Sequence, residues 1–257
     1  MKTLIKLTLS AALISSLGFA GDQFAMSDKD RAMYAELLEA NPADINVATG
    51  EGLLAENCGG EAGLAKFLGV SEDELPNYIA GFPRYVEKLK MVAGLDQVMQ
   101  AIMHDNGKKP FALPSKQMFD MLTYVKSLAN DETINIDVNA NPQMKAAYAL
   151  GKQVFETKRG GRGLSCLSCH STDIIGSVLR TQPLPELGHP GNAAAATWPA
   201  YRMTKSSLST LQKRFQGCMK NALLAVIPIG SPEMVALEVY VTDKSKGAKI
   251  AIPGLKR

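Results

Sequence analysis

This 257-residue sequence has few cysteines and little excess of charge of either sign. It contains four Cys, and 28 Lys plus Arg stand against 25 Asp plus Glu. Four cysteines are too few for a disulfide-stapled scaffold, so each one needs its own explanation. A near-balanced charge does not favour a nucleic-acid-binding protein, which normally carries a concentrated basic face. A hydrophobic content of 46% argues against intrinsic disorder.

The sequence also lacks a hydrophobic run long enough to span a bilayer. The most apolar segment, Leu7–Leu17, falls well short of the roughly 20 residues that a spanning helix needs. It follows two lysines and precedes Gly18-Phe19-Ala20, whose small residues suit a cleavage site. We therefore predict a cleaved signal peptide at residues 1–20 and export to the periplasm, where thiols tend to be oxidised.

Two halves of the chain resemble each other at a fixed spacing. Phe82–Tyr85 matches Trp198–Tyr201 at an offset of 116 residues, and Gly50–Leu54 resembles Gly151–Phe155 at an offset of 101. Similarity at a long internal period indicates repeated structural units. The offset of 116 is also kept by Leu95 and Leu211, Gln100 and Gln216, Met103 and Met219, Met118 and Met234, and Tyr124 and Tyr240.

Both halves are predicted to be mainly helical. Lys116–Ala129 carries apolar residues at the spacing of an amphipathic helix. Asn130–Pro142 is rich in Asn and Asp and suits a linker. We expect an all-α protein with two tandem domains, at residues 21–132 and 140–257. The other predicted helical segments are Ala62–Phe67, Glu72–Ile79, Gly94–His104, Met144–Phe155, Leu208–Leu223 and Pro232–Val241.

The second half contains the motif Cys-x-x-Cys-His at residues 166–170. In an exported protein this spacing lets two thiols, Cys166 and Cys169, bond the vinyl groups of one haem while His170 binds the iron. A Cys166–Cys169 disulfide or a thioredoxin-type redox pair would use the same cysteines, but neither requires the histidine. We therefore predict one covalently bound haem c with His170 as its proximal ligand.

The second axial ligand is open at this point, and the repeat serves as an internal control. The methionine candidates Met219 and Met234 have counterparts in Met103 and Met118, in a half without a haem motif. These positions are typical of core methionines. The full set of downstream candidates is His189, Met203, Cys218, Met219 and Met234.

Arg214 and Cys218 occur only in the haem-bearing copy, because Val98 and Ile102 stand at the matching positions of the first copy. Four residues apart on a helix, their side chains share one face. A guanidinium stabilises a thiolate, the form that binds metal, and can also bind an oxyanion such as a sulfur oxyacid. An inert thiol, a disulfide to Cys58 and an ordinary surface arginine remain as alternatives.

Cys58 and the cations at the end of the chain are not assigned a chemical role. Cys58 stands roughly where the first copy would have kept a haem motif, but no second Cys and no His follow it, so we interpret it as a relic free thiol. The cations at the end of the chain are predicted to form a solvated basic tail. They are Lys244, Lys246, Lys249, Lys256 and Arg257.

Five motifs together resemble the SoxA subunits of SoxAX cytochromes, which are L-cysteine S-thiosulfotransferases of sulfur oxidation. The resemblance covers nearly all of the chain after the signal peptide. The motifs are Cys-x-x-Cys-His at 166–170, Leu179-Arg180-x-Gln182, Thr197–Arg202, Arg214–Cys218 and Glu233–Tyr240.

The resemblance implies two tandem cytochrome c-like domains, of which only the second binds haem. It implies that Cys218 is the distal haem ligand, often modified to a persulfide, and that Arg214 is a substrate-binding and catalytic residue. One-haem members generally carry an N-terminal disulfide, whereas this chain has only Cys58 in that region. Ile102 and Met103 lie where the partner cysteine is expected.

The resemblance also implies a reaction and a set of partners. Thiosulfate is coupled to a cysteine of the carrier protein SoxYZ, and a small haem subunit, SoxX, relays electrons to a soluble cytochrome c. The alternative is a non-catalytic electron-transfer cytochrome c with His/Met ligation. That alternative gives Arg214 and Cys218 no chemical role.

Overall fold

The computed structural model describes residues 28–171, 173, 178–179 and 182–256. The predicted signal peptide and Arg180 lie outside the described residues. Within the described ranges, no helix has the length and apolarity needed to cross a membrane. The helices are α1 (Asp28–Glu39), α2 (Asp44–Cys58), α3 (Gly60–Leu68), α4 (Leu75–Ile79), α5 (Leu95–Asp105), α6 (Lys116–Ser127), α7 (Pro142–Glu156), α8 (Cys166–Cys169), α9 (Leu211–Asn221) and α10 (Pro232–Lys244). The strands are β1 (Arg84–Val86), β2 (Met91–Ala93), β3 (Val178–Leu179), β4 (Gln182–Pro183), β5 (Ala200–Arg202), β6 (Ser207–Ser209) and β7 (Gly254–Lys256).

The two halves share the order of their main elements, which is one helix, a hairpin and two further helices. In the first half α2 packs against α6, and in the second α7 packs against α10. Gly50 lies at the first of these crossings and Gly151 at the second, where each faces the neighbouring helix. Helices α5 and α9 begin 116 residues apart, as do α6 and α10. The repeat in the sequence is therefore also a repeat in the structure.

Each half also contains a short antiparallel hairpin before its last two helices. β1 pairs with β2, with Arg84 opposite Ala93, and β5 pairs with β6, with Ala200 opposite Ser209. The partners in the second hairpin are those of the first shifted by 116 residues. In both copies a cis X–Pro peptide bond precedes the hairpin. These strands were not predicted from the sequence, because strands of three residues show no alternating pattern. The described chain is mainly helical with short strands added.

Side-chain caps fix where the main helices begin. Ser115 and Ser231 start α6 and α10, and each accepts a hydrogen bond from a backbone N–H three residues later. Such caps satisfy N–H groups that have no partner within the helix. Thr210 caps α9 in the same way. The predicted helix Leu208–Leu223 is therefore wrong at its start, because Ser207–Ser209 form β6 and α9 begins only after Thr210.

The prediction of a solvated basic tail is wrong for Lys244 and Lys256, which are half-buried, and confirmed for Lys246 and Lys249, which are exposed, while Arg257 lies outside the described residues. Ile252 and Leu255 are buried, and β7 lies parallel to β5. The Asn130 amide donates to the Ile252 carbonyl at 2.6 Å and accepts from its N–H at 2.8 Å. Lys244 Nζ donates to the Tyr148 hydroxyl at 2.8 Å. The end of the described chain is thus built into the fold, because its apolar residues pack inward between the charged ones.

The hydrophobic core is continuous between the two halves and includes a polar cluster between them. Glu238 of α10 accepts from the side chain of Gln212 at 2.8 Å and pairs with Lys126 at 3.2 Å. Burial, and next the charge of Glu238, raise the pKa of Asp96 to about 6. Because these residues come from α5, α6, α9 and α10, the cluster connects the two copies and fixes the orientation of α9.

Candidate functional site

The haem motif occupies the short helix α8 and is held by a reciprocal cap. Ser165 Oγ accepts from the Ser168 N–H at 3.2 Å, and Ser168 Oγ accepts from the Ser165 N–H at 3.0 Å. This cap fixes one helical turn, and Cys166 and Cys169 lie three residues apart within it, on one face. The arrangement presents two thiols to one ligand, as covalent attachment of a haem requires.

His170 is oriented by a backbone carbonyl. Its Nδ1 lies 2.7 Å from the carbonyl oxygen of Pro185. A hydrogen bond in which Nδ1 donates leaves Nε2 without its proton and available to a metal, which is the usual arrangement of a metal-binding histidine. Burial lowers the pKa of the imidazole, and the positive charge of Arg214 lowers it further, whereas the bond to Pro185 acts in the opposite direction. His170 is therefore suited to bind iron through Nε2.

All four cysteines are unpaired, so the two disulfides left open by the sequence are wrong. Cys166 and Cys169 do not form a bond with each other, and Cys58 does not form one with Cys218. Burial raises the pKa of Cys166 to about 11, with smaller contributions from Arg159, which lowers it, and from Cys218 and Cys169, which raise it. The thiol of Cys218 therefore lies near Cys166.

Arg214 and Cys218 reach the haem motif from α9. They lie one turn apart on this helix, and both are half-buried. Arg214 acts electrostatically on His170, while Cys218 acts on Cys166. The structure thus brings Arg214 and Cys218 near the Cys-x-x-Cys-His motif, although they come from a separate part of the chain.

The other candidate ligands lie elsewhere. Met219 and Met234 are buried in the core, as are their counterparts in the first half. Met203 is exposed at the surface. His189 is exposed in a turn, and its Nδ1 lies 2.9 Å from the carbonyl of the next residue, Pro190. Of the candidates, Cys218 is the one that interacts with the haem motif.

Two arginines near the motif, the half-buried Arg159 and the buried Arg202, were not predicted as site residues. Arg159 Nη1 donates to the Val154 carbonyl at 2.8 Å, but its Nε and Nη2 are buried and meet no acceptor among the described residues. Arg202 Nε is buried in the same way. The repeat in the sequence does single out Arg202, because Val86 stands at the matching position of the copy without a haem motif. Buried N–H groups without acceptors call for an explanation, such as a ligand that supplies the acceptor.

The residues present fit a covalent haem. Two unpaired thiols lie one turn apart, and the adjacent histidine has its Nδ1 engaged so that Nε2 is free. Arg159 lies close enough to Cys166 to affect the pKa of that thiol. Its unpaired N–H groups match the carboxylate of a haem propionate, which would accept charge-assisted hydrogen bonds. The donor set thus matches what a c-type haem requires.

Cys58 lies apart from this site. It is buried in the first half, where its Sγ lies 3.8 Å from the carbonyl oxygen of Met99. Burial raises its pKa to about 11, which keeps it a thiol at neutral pH. Ile102 and Met103, which lie where a partner cysteine is expected, are buried apolar residues of the same core. Cys58 is therefore a packed core residue.

Curated relatives match the chain along its length. The L-cysteine S-thiosulfotransferase subunit SoxA of Hydrogenophilus thermoluteolus is 29% identical over 276 aligned residues, covering 100% of this chain and 99% of the relative. The subunit of the same name from Chlorobaculum thiosulfatiphilum is 27% identical over 240 residues, covering 93% and 80%. No family model matches the chain. The resemblance to SoxA subunits indicated by the motifs is therefore confirmed.

A solved structure has the same fold. A chain in the crystal structure of SoxXA from P. pantotrophus superposes with a TM-score of 0.74 at 21% sequence identity. The superposition covers 96% of this chain and 90% of that chain. The likeness extends across both halves, so the repeated arrangement of helices and hairpins belongs to the shared fold.

Proposed function

We propose that this chain is the SoxA-type haem c subunit of an L-cysteine S-thiosulfotransferase, which couples thiosulfate to a cysteine of the carrier protein SoxYZ. The observation that carries the proposal is the approach of Arg214 and Cys218 to the haem motif. A fold that needed these residues for packing would have kept them in the first copy, where Val98 and Ile102 are buried instead. Their presence in the second copy alone points to chemistry.

The proposed organisation is two cytochrome c-like domains, at residues 21–132 and 140–257, with one haem in the second. Cys166 and Cys169 would attach the haem covalently, while His170 and Cys218 would bind its iron. A haem with a thiolate ligand has a stabilised ferric state and exchanges one electron at a time. The first domain would support the second, because the polar cluster on Glu238 joins them.

The reaction forms one sulfur–sulfur bond and is an oxidation. The outer sulfur of thiosulfate bonds the carrier cysteine sulfur, the S–H bond of the carrier thiol breaks, and its proton goes to water. Two electrons leave and are accepted singly by two molecules of soluble cytochrome c, with SoxX as the relay. The charges balance, because a dianion and a neutral thiol yield a monoanionic product, a proton and two electrons.

Arg214 and Cys218 have separate roles in this proposal. Arg214 binds the oxyanion end of thiosulfate, since a guanidinium offers a planar set of N–H donors to oxygen atoms. Cys218, as thiolate or persulfide, holds sulfur beside the reacting atoms. Residues 1–20 would direct the chain to the periplasm.

A coupling assay tests the proposal directly. The purified holoprotein, SoxX, SoxYZ, thiosulfate and oxidised cytochrome c are combined, and the carrier adduct is measured by intact mass. We expect Cys218→Ala to reduce the coupling rate by about 100-fold or more, the scale of losing a catalytic group. His189→Gln is the matched control and should couple at the wild-type rate. Coupling by Cys218→Ala at the normal rate would overturn the proposal.

The persulfide and the axial ligand of the iron are each tested by a separate measurement. Mild reduction of the isolated protein should remove the mass of one sulfur atom if Cys218 is a persulfide, and no mass change would identify an unmodified thiolate. Electron paramagnetic resonance of the ferric protein should give the low-spin signal of His/thiolate ligation. A His/Met signal would favour the electron-transfer cytochrome instead.

A further inference from the structure

Arg202 is a charged residue on the inner face of a strand. It lies on β5 two residues from Ala200, so both side chains point to the same side of the hairpin, and Ala200 is fully buried. Arg202 itself is only 9% exposed. Val86 stands at the matching position of the first copy and is buried in the core. The fold alone therefore accepts an apolar residue here.

The guanidinium of Arg202 lacks a partner that its burial calls for. Its Nε is buried and has no acceptor among the described residues. Burial lowers the pKa of Arg202, the charge of Arg214 lowers it further, and Cys218 alone raises it. A buried charge is stable only when it is paired and hydrogen-bonded. One cysteine does not balance the positive charge of two guanidinium groups. This region therefore carries an excess of positive charge that an added anion would neutralise.

The surrounding lysines increase this excess of positive charge. Burial lowers the pKa of Lys205, and the charges of four other cations lower it further. A group of like charges on one surface is stabilised by an anion that enters it. The four cations are Arg202, Arg214, Lys213 and Lys220.

We propose that Arg202 and Arg214 together form a two-guanidinium site for a doubly charged sulfur oxyanion beside Cys218. The inference rests on the proposed function, and it adds Arg202 as a second substrate-binding residue. Arg202 and Arg214 bind the sulfonate oxygens of thiosulfate, which leaves the outer sulfur toward Cys218. Two fixed positive charges match a dianion, so monovalent anions bind this site more weakly.

A haem propionate also carries anionic oxygens and is an alternative partner for Arg202. The observations favour Arg159 as the partner of the propionate. Arg159 interacts with the attachment cysteine Cys166, whereas Arg202 interacts with Cys218 and Arg214. Arg159 also has two unpaired buried nitrogens of its own. Arg159 therefore lies beside the haem motif, whereas Arg202 lies beside the residues of the proposed substrate site.

The test measures anion binding without turnover. Calorimetric titration of the oxidised holoprotein with SoxX, in the absence of carrier, gives the Kd of thiosulfate, and sulfate and nitrate serve as divalent and monovalent probes. We expect Arg202→Gln to raise the Kd of thiosulfate and sulfate by about 10- to 100-fold, the size of losing charge-assisted hydrogen bonds. Arg202→Lys should recover part of this loss, and the Kd of nitrate should change little. Lys109→Gln, which removes an exposed charge of the first half, should match the wild type.

Two results would overturn the inference. One is an unchanged Kd of thiosulfate in Arg202→Gln with an unchanged haem midpoint potential at every pH, which would leave Arg202 without a role at the site. The other is an unchanged Kd together with an altered pH dependence of the haem midpoint potential, which would assign Arg202 to a propionate. Circular dichroism and the haem spectrum show whether the variant is folded, and Arg202→Lys provides a second variant if Arg202→Gln is not. Failure of the proposed function is distinguishable, because it would appear as normal coupling by Cys218→Ala.

Discussion

Gly50 and Gly151 occupy equivalent positions in two crossings of the same kind. A Cβ atom added at Gly50 would lie 2.2 Å from the carbonyl oxygen of Asp120, and one at Gly151 would lie 1.9 Å from that of Ala236. Both distances are far inside van der Waals contact. Asp120 and Ala236 are 116 residues apart, which is the offset of the repeat. The close approach of two helices at glycine is thus the feature on which both halves are built.

This relationship predicts opposite effects of one substitution at two sites on α2. We expect Gly50→Ala to destabilise the protein by about 2–3 kcal/mol, because the methyl group must push two helices apart. Gly52, two residues along, has no atom within 4 Å of an added Cβ. Gly52→Ala should therefore stabilise by about 0.5–1 kcal/mol, since alanine favours the helix. Urea unfolding of the holoprotein measures both, and equal effects of the two substitutions would contradict this account.

The helical repeat could be predicted from the sequence because long amphipathic helices keep a regular spacing of apolar residues. The hairpins could not, since strands of three residues such as Ser207–Ser209 leave no alternation to detect. Cys166, Cys169 and His170 belong to a local motif, which a single sequence displays, so they could be predicted as a haem site. The carbonyl of Pro185 and the guanidinium of Arg202 have roles set by tertiary proximity, which a single sequence does not display.

The buried Asp96 predicts a pH-dependent stability. Its pKa is raised to about 6 by burial and by Glu238, so the folded state binds this proton more tightly than the unfolded state. Stability from this group is therefore complete at low pH and is lost as the pH rises toward 6. We expect Asp96→Asn to be nearly neutral near pH 4 and stabilising by up to about 3 kcal/mol at pH 7.

Unfolding by urea at several pH values checks this expectation. The control is Asp73→Asn, which removes an exposed carboxylate and should shift stability little at any pH. A difference between Asp96→Asn and the wild type that stays constant from pH 4 to pH 7 would rule out Asp96 as the titrating group.

The clamp between Asn130 and Ile252 predicts how the end of the chain is held. Its two hydrogen bonds, of 2.6 and 2.8 Å, connect the segment between the halves to the final segment. We expect Asn130→Ala to cost about 1–2 kcal/mol, the contribution of two hydrogen bonds in a partly exposed setting. Hydrogen exchange should accelerate in residues 247–256 in particular. Asn139→Ala, at an exposed position of the same segment, should leave this exchange unchanged.

The identity of the second axial ligand has a direct electrochemical consequence. Thiolate ligation stabilises ferric iron, whereas methionine ligation raises the reduction potential. We expect Cys218→Met to raise the haem midpoint potential by on the order of 0.1–0.4 V, within the roughly 0.8 V range that axial ligands span. Protein-film voltammetry measures the shift, and electron paramagnetic resonance identifies the new ligand. Met203→Leu is the matched control, because Met203 is exposed and should not bind the iron. A potential that responds to Met203→Leu and not to Cys218→Met would assign the ligand to Met203 and remove Cys218 from the iron.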